Sequence, residues 1–154
     1  MFENILQKLS AYCAYRERSV QEVYRKALDL GCLPPSAAKA VEILTEQGFL
    51  NEERFVRSVV KGKFSNNKWG RRKIRMYLKK QKIADALIEE ALRSEISERE
   101  YKAVLGKLLA QKMQALQKEE NIHIRKRKAM AFAASKGFEP QLILSVLASA
   151  GSDL

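Results

Sequence analysis

The sequence predicts an all-α protein, an elongated array of three tandem three-helix bundles. Apolar residues recur with a helical period along the chain, and no stretch keeps a period of two. The helical pattern then repeats at displacements of 51 and 55 residues. With seven Gly and three Pro in 154 residues, the chain has little room for long loops. We therefore predict one domain, residues 1–154, with repeats at about residues 3–50, 51–95 and 96–151.

The first repeat is predicted to have helices at residues 3–15 and 19–30, and a third helix that follows a Pro-Pro pair. Gly31 and Gly48 come directly after runs of helical period and are each followed by an apolar residue. Glycine adopts the left-handed conformation that ends a helix at little cost. The two glycines are therefore predicted to end the second and third helices.

The second repeat is predicted to begin with a helix at residues 52–65, which Asn51 caps. A second helix follows at residues 70–81. Its apolar residues, spaced three and four apart, form one stripe that faces the core. The stripe consists of Ile74, Tyr77 and Leu78.

The third repeat is predicted to have helices at residues 97–117 and 125–136 and a third helix after Gly137. Ser97 followed by Glu100 is typical of a capping box at a helix N-terminus. Because a three-helix unit of this size buries little apolar surface, neighbouring repeats are expected to stack and share their cores.

The net charge of +11 is concentrated in residues 57–82, which we call the basic segment. This segment has eleven basic residues and no acidic ones, whereas residues 1–56 sum to −1 and residues 83–154 to +1. Such a concentration creates a local positive potential that attracts a polyanion or an acidic protein surface.

Basic residues on the predicted helix at 70–81 recur every three or four positions and are expected to line one outward face. No acidic residue lies within a helical turn of them, so a solvated helix face is the less favoured alternative. Since Arg71, Arg72 and Arg75 lie off the apolar stripe, replacing them is expected to leave the fold intact. The candidate partner-binding or nucleic-acid-binding residues are Lys61, Lys63, Lys68, Arg71, Arg72, Arg75, Lys79, Lys82, Arg125 and Arg127.

Two further features have less specific interpretations. A basic run at residues 125–128 follows Glu119 and Glu120, so it is either part of the contact surface or paired with those acids. We interpret Trp69 as a core anchor at the turn, in preference to a platform on which bases stack, because its large apolar side chain is expected to be buried.

No catalytic, metal or cofactor site is predicted, and the protein is expected not to be an enzyme. His123 is the only histidine, and Cys13 and Cys32 lack the spacing of a metal or redox motif. The two cysteines are interpreted as small buried residues, with a surface thiol or a disulfide as alternatives. The sequence shows neither a signal peptide nor a membrane span, so a cytoplasmic location is expected.

Several phrases of the sequence resemble the RecX family of bacterial recombination regulators, with their order and spacing kept. The resemblance is strongest at residues 54–92. The phrases are YCAYRERS at residues 12–19, GFLNEERF at 48–55, KF at 63–64, KWGRRKIR at 68–75 and LIEEAL at 87–92.

The resemblance implies tandem three-helix repeats, in agreement with the internal register. It also implies a non-enzymatic protein that binds the groove of the RecA filament on single-stranded DNA. Such a protein inhibits RecA ATP hydrolysis, strand exchange and coprotease activity. The alternative is a helical module that binds DNA directly and without sequence preference, and a monomer is expected in either case. The third repeat follows the family pattern only loosely.

Overall fold

The computed structural model describes the backbone of residues 1–152 and the side chains of residues 1–149, so the end of the predicted domain lies outside the described residues. Within this range the protein contains nine α-helices and no β-strand, which confirms the predicted all-α class. Its accessible surface is 9805 Å². A compact monomer of this mass would expose about 7,900 Å², so the array is elongated.

Helices α1 (Phe2–Tyr15), α2 (Val20–Asp29) and α3 (Pro34–Glu46) form the first bundle. Ser19 begins α2 with a full capping box: its hydroxyl accepts from the Glu22 N–H, and the Glu22 carboxylate accepts from the Ser19 N–H. Pro residues begin α3, where a missing N–H costs nothing.

Helices α4 (Glu52–Ser65), α5 (Arg71–Lys80) and α6 (Asp85–Glu95) form the second bundle. The Asn51 side chain caps α4 as predicted, by accepting from the Arg54 N–H at 2.9 Å. Lys82 ends α5 at φ +60°, in the position that corresponds to Gly31 and Gly137 in the other two repeats.

Helices α7 (Glu98–Ala115), α8 (Ile122–Ser135) and α9 (Pro140–Ser152) form the third bundle. The Ser97 hydroxyl caps α7 by accepting from the Glu100 N–H at 3.1 Å. Helix α8 begins about one turn before the predicted residue 125, because the Asn121 side chain accepts from the N–H groups of His123 and Ile124 in its first turn. The main helix–helix contacts fall within these three groups.

The predicted helix ends and core stripe are confirmed. Gly31, Gly48 and Gly137 have φ values of +107°, +81° and +101°. Ile74 and Leu78 are fully buried, and Tyr77 packs against them at the edge of the core.

The prediction that neighbouring repeats share a core is confirmed only for the second and third repeats. Their buried residues form one continuous cluster, whereas the first repeat has a separate one. Tyr101 of α7 joins the two bundles: its ring lies 6.0 Å from Phe64 of α4 and 5.0 Å from Phe138. Between the first and second repeats, which we call the first junction, a polar contact is found: the Ser19 hydroxyl donates a hydrogen bond to the Gln81 side chain at 3.1 Å.

Two backbone hydrogen bonds connect the second repeat to the third, at what we call the second junction. The Gly70 N–H donates to the Lys136 carbonyl at 2.7 Å, and the Arg72 N–H donates to the Gly137 carbonyl at 3.0 Å. The start of α5 therefore rests directly on the turn between α8 and α9, and the chain reaches this proximity only through the tertiary fold.

Candidate partner-binding surface

The basic segment covers the second half of α4, the turn that follows and all of α5. Tertiary contacts divide its eleven cations into a partnered group and a free group. The expectation that Arg71, Arg75, Lys79 and Lys82 form one row of unneutralised charge is wrong, because acidic residues of α6, α7 and the α8–α9 turn reach three of the four.

Arg71 is held in a network that we call the joint network: Arg71, Glu98, Tyr101 and Glu139. Its guanidinium donates to Glu139 at 2.8 Å, pairs with Glu98 and lies 3.8 Å from the centre of the Tyr101 ring. The Tyr101 hydroxyl donates to Glu139 and accepts from the Arg71 N–H at 2.9 Å. With 16% of its side chain exposed, Arg71 joins two repeats and does not present a free charge.

Arg75 is also paired, through two hydrogen bonds to the Glu89 carboxylate at 2.5 and 3.2 Å. The hydrogen bond from Arg75 lowers the pKa of Glu89. Lys79 lies 3.7 Å from Asp85, and Arg57 pairs with Glu53 one turn earlier on α4. The Arg57–Glu53 pair lies within one helical turn, whereas the partners of Arg75 and Lys79 come from another helix and were not evident from the local sequence.

Trp69 packs against the shared core and meets Tyr77 edge-on, with ring centres 5.9 Å apart. Two ammonium groups lie over its ring, Lys63 at 4.8 Å and Lys73 at 4.6 Å from the centre. The expectation of a core anchor therefore holds. The cation–π contacts also fix two cations of the basic segment beside the indole.

The remaining cations of the basic segment are exposed. In the described part of the chain, the side chains of Lys61, Arg72, Lys80 and Lys82 have no hydrogen-bond or ion-pair partner. Lys68, at φ +58°, donates to the Ser65 carbonyl at 2.6 Å and closes the end of α4. Free positive charge thus lies on the outer side of α5 and along α4, on the middle repeat.

The basic run at residues 125–128 also contains both partnered and exposed cations. Arg125 donates to the Glu119 carbonyl at 3.1 Å and to the Gln117 carbonyl at 3.3 Å, which ties down the α7–α8 turn. Lys128 lies 3.9 Å from the Glu119 carboxylate. Arg127 is exposed, and so is His123. Of the two candidate residues here, Arg127 is the one available to a partner.

The described residues contain no group of three or more His, Cys, Asp or Glu side chains placed to hold a metal ion. Cys13 and Cys32 are buried and unpaired, and burial raises the pKa of the Cys13 thiol. None of the helices in residues 1–152 is long and apolar enough to span a bilayer.

Acid is expected to weaken the joint network. Burial raises the pKa of Glu139, but hydrogen bonds from Tyr101 and Arg71 outweigh burial and hold the pKa below its ordinary value of 4.5. The unfolded chain therefore binds this proton more readily, so the stabilisation is present above pH 4.5 and is lost as the pH falls through the folded-state pKa. Urea denaturation at neutral pH and below pH 4.5 measures the loss, which should be smaller in Glu139→Gln. An equal loss in that variant would contradict the assignment.

A family model and two curated relatives that this chain resembles carry the same family name. Residues 51–92 match the family model for "RecX, second three-helix domain". A "Regulatory protein RecX" of Pelodictyon phaeoclathratiforme is 32% identical over 133 residues, which are 86% of this chain and 79% of that protein. One of Lactobacillus delbrueckii subsp. bulgaricus is 30% identical over 139 residues, which are 88% of this chain but 49% of that longer protein.

Solved structures show the same fold. A crystal structure of RecX from Lactobacillus salivarius superposes with a TM-score of 0.85 at 18% identity and covers 96% of this chain and 95% of that one. A crystal structure of a regulatory protein RecX gives a TM-score of 0.84 at 16% identity and covers 94% of this chain and 70% of that one.

Proposed function

The chain belongs to the RecX family, and we propose that it is a non-enzymatic, cytoplasmic regulator of homologous recombination and DNA repair. As a monomer it lies in the groove of a RecA filament on single-stranded DNA. There it inhibits ATP hydrolysis, strand exchange and coprotease activity.

The observation that carries this proposal is the free positive charge at the centre of an elongated array. Lys61, Arg72 and Lys82 project from the middle repeat without an acidic partner. The two flanking regions of sequence are nearly neutral. A positive centre on an elongated body suits a groove lined with acidic side chains or phosphates.

We expect the protein to inhibit ATP turnover by contacting neighbouring recombinase subunits at the same time. In this proposal the protein acts by occupying a surface of the filament. An elongated body that contacts successive recombinase subunits restrains their relative motion during ATP turnover. The proposed contacts are the exposed candidates, while Arg71, Arg75 and Arg125 hold the surface in shape. The exposed candidates are Lys61, Lys68, Arg72, Lys79, Lys82 and Arg127, with Lys63 beside Trp69.

Titration into a RecA ATPase assay on single-stranded DNA tests the proposal. We expect inhibition well below one protein per recombinase subunit, because one elongated molecule restrains more than one subunit. Anisotropy with naked single-stranded DNA over a salt series is the control and should show weak binding. Absence of inhibition at every ratio would exclude the regulatory function.

The second candidate is direct, sequence-independent DNA binding, favoured by the unpaired Lys and Arg side chains of α4 and α5. If roughly six phosphates were contacted, the logarithm of the affinity for duplex would fall with the logarithm of the salt concentration at a slope of about −5. Inhibition only at concentrations that coat the DNA, together with this slope, would favour the second candidate.

A further inference from the structure

Helix α5 has an outer face with an exposed apolar residue at its centre. Met76 is 62% exposed, and Arg72 and Lys80 lie one turn before and after it on the same side of the helix. Lys73 borders this face beside Trp69. We call Arg72, Lys73, Met76 and Lys80 the outer face of α5.

The core does not need this methionine. The shared cluster takes Ile74 and Leu78 from α5, with Tyr77 at its edge, and Met76 belongs to neither the buried nor the half-buried set of that cluster. Met76 therefore adds little to the packing of the isolated molecule.

The acidic residues that reach α5 pair with cations other than those of its outer face. Glu89 accepts both hydrogen bonds of Arg75, Glu139 is held by Arg71 and Tyr101, and Asp85 lies beside Lys79. Lys79 borders the outer face, but Arg72 and Lys80 are exposed and have no acidic partner in the described part of the chain, so the outer face keeps a positive charge. Its chemical complement is a surface with carboxylates around a small apolar depression.

The apolar centre distinguishes a protein partner from a nucleic-acid backbone. Phosphate contacts are made by cations and polar groups and gain nothing from a thioether. Protein interfaces are enriched in Met and Arg and place an apolar centre inside a charged rim. Charge complementarity together with this arrangement therefore favours a protein surface.

We propose that the outer face of α5 docks on an acidic protein surface, with Met76 inserted into an apolar depression and Arg72 and Lys80 paired with carboxylates around it. This inference rests on the proposed function, in which that surface belongs to a recombinase subunit of the filament. It assigns the central contact to protein and not to DNA.

Met76→Ala tests the proposal in the full-length protein, with Leu144→Ala as the matched control, since Leu144 is a similarly exposed apolar residue (55%) on α9. Both variants should keep the wild-type thermal unfolding midpoint. Affinity is measured for filaments on single-stranded DNA and for naked single-stranded DNA. We expect Met76→Ala to weaken filament binding roughly tenfold, as truncation of a central interface residue does, and to leave naked-DNA binding unchanged. Leu144→Ala should bind filaments like wild type.

Each other result overturns a separate claim. Unchanged filament binding by Met76→Ala excludes this face as the central contact, although the proposed function stands. An equal loss of naked-DNA binding means that Met76 inserts between bases, which excludes the protein partner. Failure of the wild-type protein to bind filaments would overturn the proposed function together with this inference. Arg72→Glu, which alters charge at the same face, should weaken filament binding further.

Discussion

Replacing Gly70 with alanine is expected to destabilise the protein by about 2–3 kcal/mol, the upper part of the usual range for overpacking a close contact. A Cβ at Gly70 would overlap the backbone of Gly137 and Phe138 and would lie 2.5 Å from the Gly137 carbonyl oxygen. These atoms are main chain and take part in hydrogen bonds across the junction. They cannot rotate away as a flexible side chain would, so the start of α5 must separate from the α8–α9 turn.

Equilibrium urea denaturation measures this effect, and Gly62→Ala is its matched control. Gly62 lies inside α4, where an added Cβ meets nothing within 4 Å. Alanine is favoured over glycine in a helix interior by about 0.8–1.0 kcal/mol, so the control should be stabilised. Hydrogen exchange should also show faster opening of α5 and of the α8–α9 turn in Gly70→Ala. A variant as stable as wild type would refute the close backbone contact.

Arg71→Ala is expected to cost about 2–3 kcal/mol, whereas Arg72→Ala should change stability by less than about 0.5 kcal/mol. The two residues are neighbours in the sequence and undergo the same chemical change. Arg71 is 16% exposed and bonded to Glu139 and Glu98 over the Tyr101 ring, and Arg72 extends into solvent. Removing Arg71 leaves the half-buried Glu139 carboxylate without its guanidinium.

A double-mutant cycle with Glu139→Gln separates the pair from the rest of the network. Because the two side chains are in direct contact, we expect their effects to be non-additive by about 0.5–3 kcal/mol. Equal stabilities of Arg71→Ala and Arg72→Ala would show that the joint network contributes nothing, and additive effects in the cycle would show that the Arg71–Glu139 pair is not coupled. The expectation that the fold stays intact without the three arginines did not include this loss of stability, because it took Arg71 to be unpaired.

Local signals in the sequence were sufficient for most of the fold. Asn51 and Ser97 cap helices because a side-chain oxygen three residues before an orphan N–H is a purely local arrangement. Gly31, Gly48 and Gly137 end helices because positive φ is inexpensive for glycine. Lys82 shows the limit of this signal, since it takes φ +60° without a glycine, where the repeat requires a turn.

The candidate surface was only partly predictable. The concentration of charge was evident from the sequence, but which cations stay free was not. Glu98 and Glu139 are 27 and 68 residues away from the arginine they neutralise. A test for acids within one helical turn cannot find such partners. Met76 was not singled out from the sequence. Its exposure depends on how the apolar stripe of α5 packs against the core, which only the tertiary structure shows.

The sequence by itself determined the helices, their ends, the repeat and the placement of the charge on the middle unit. These depend on hydrogen bonds and apolar periodicity within a few residues, which every part of the chain carries locally. The tertiary structure alone decided that the second and third repeats share a core, that Gly70 contacts Gly137, and that Arg71 and Arg75 are internal. Those outcomes depend on the approach of residues far apart in sequence, and only the packed chain fixes the distances on which steric contact and ion pairing depend.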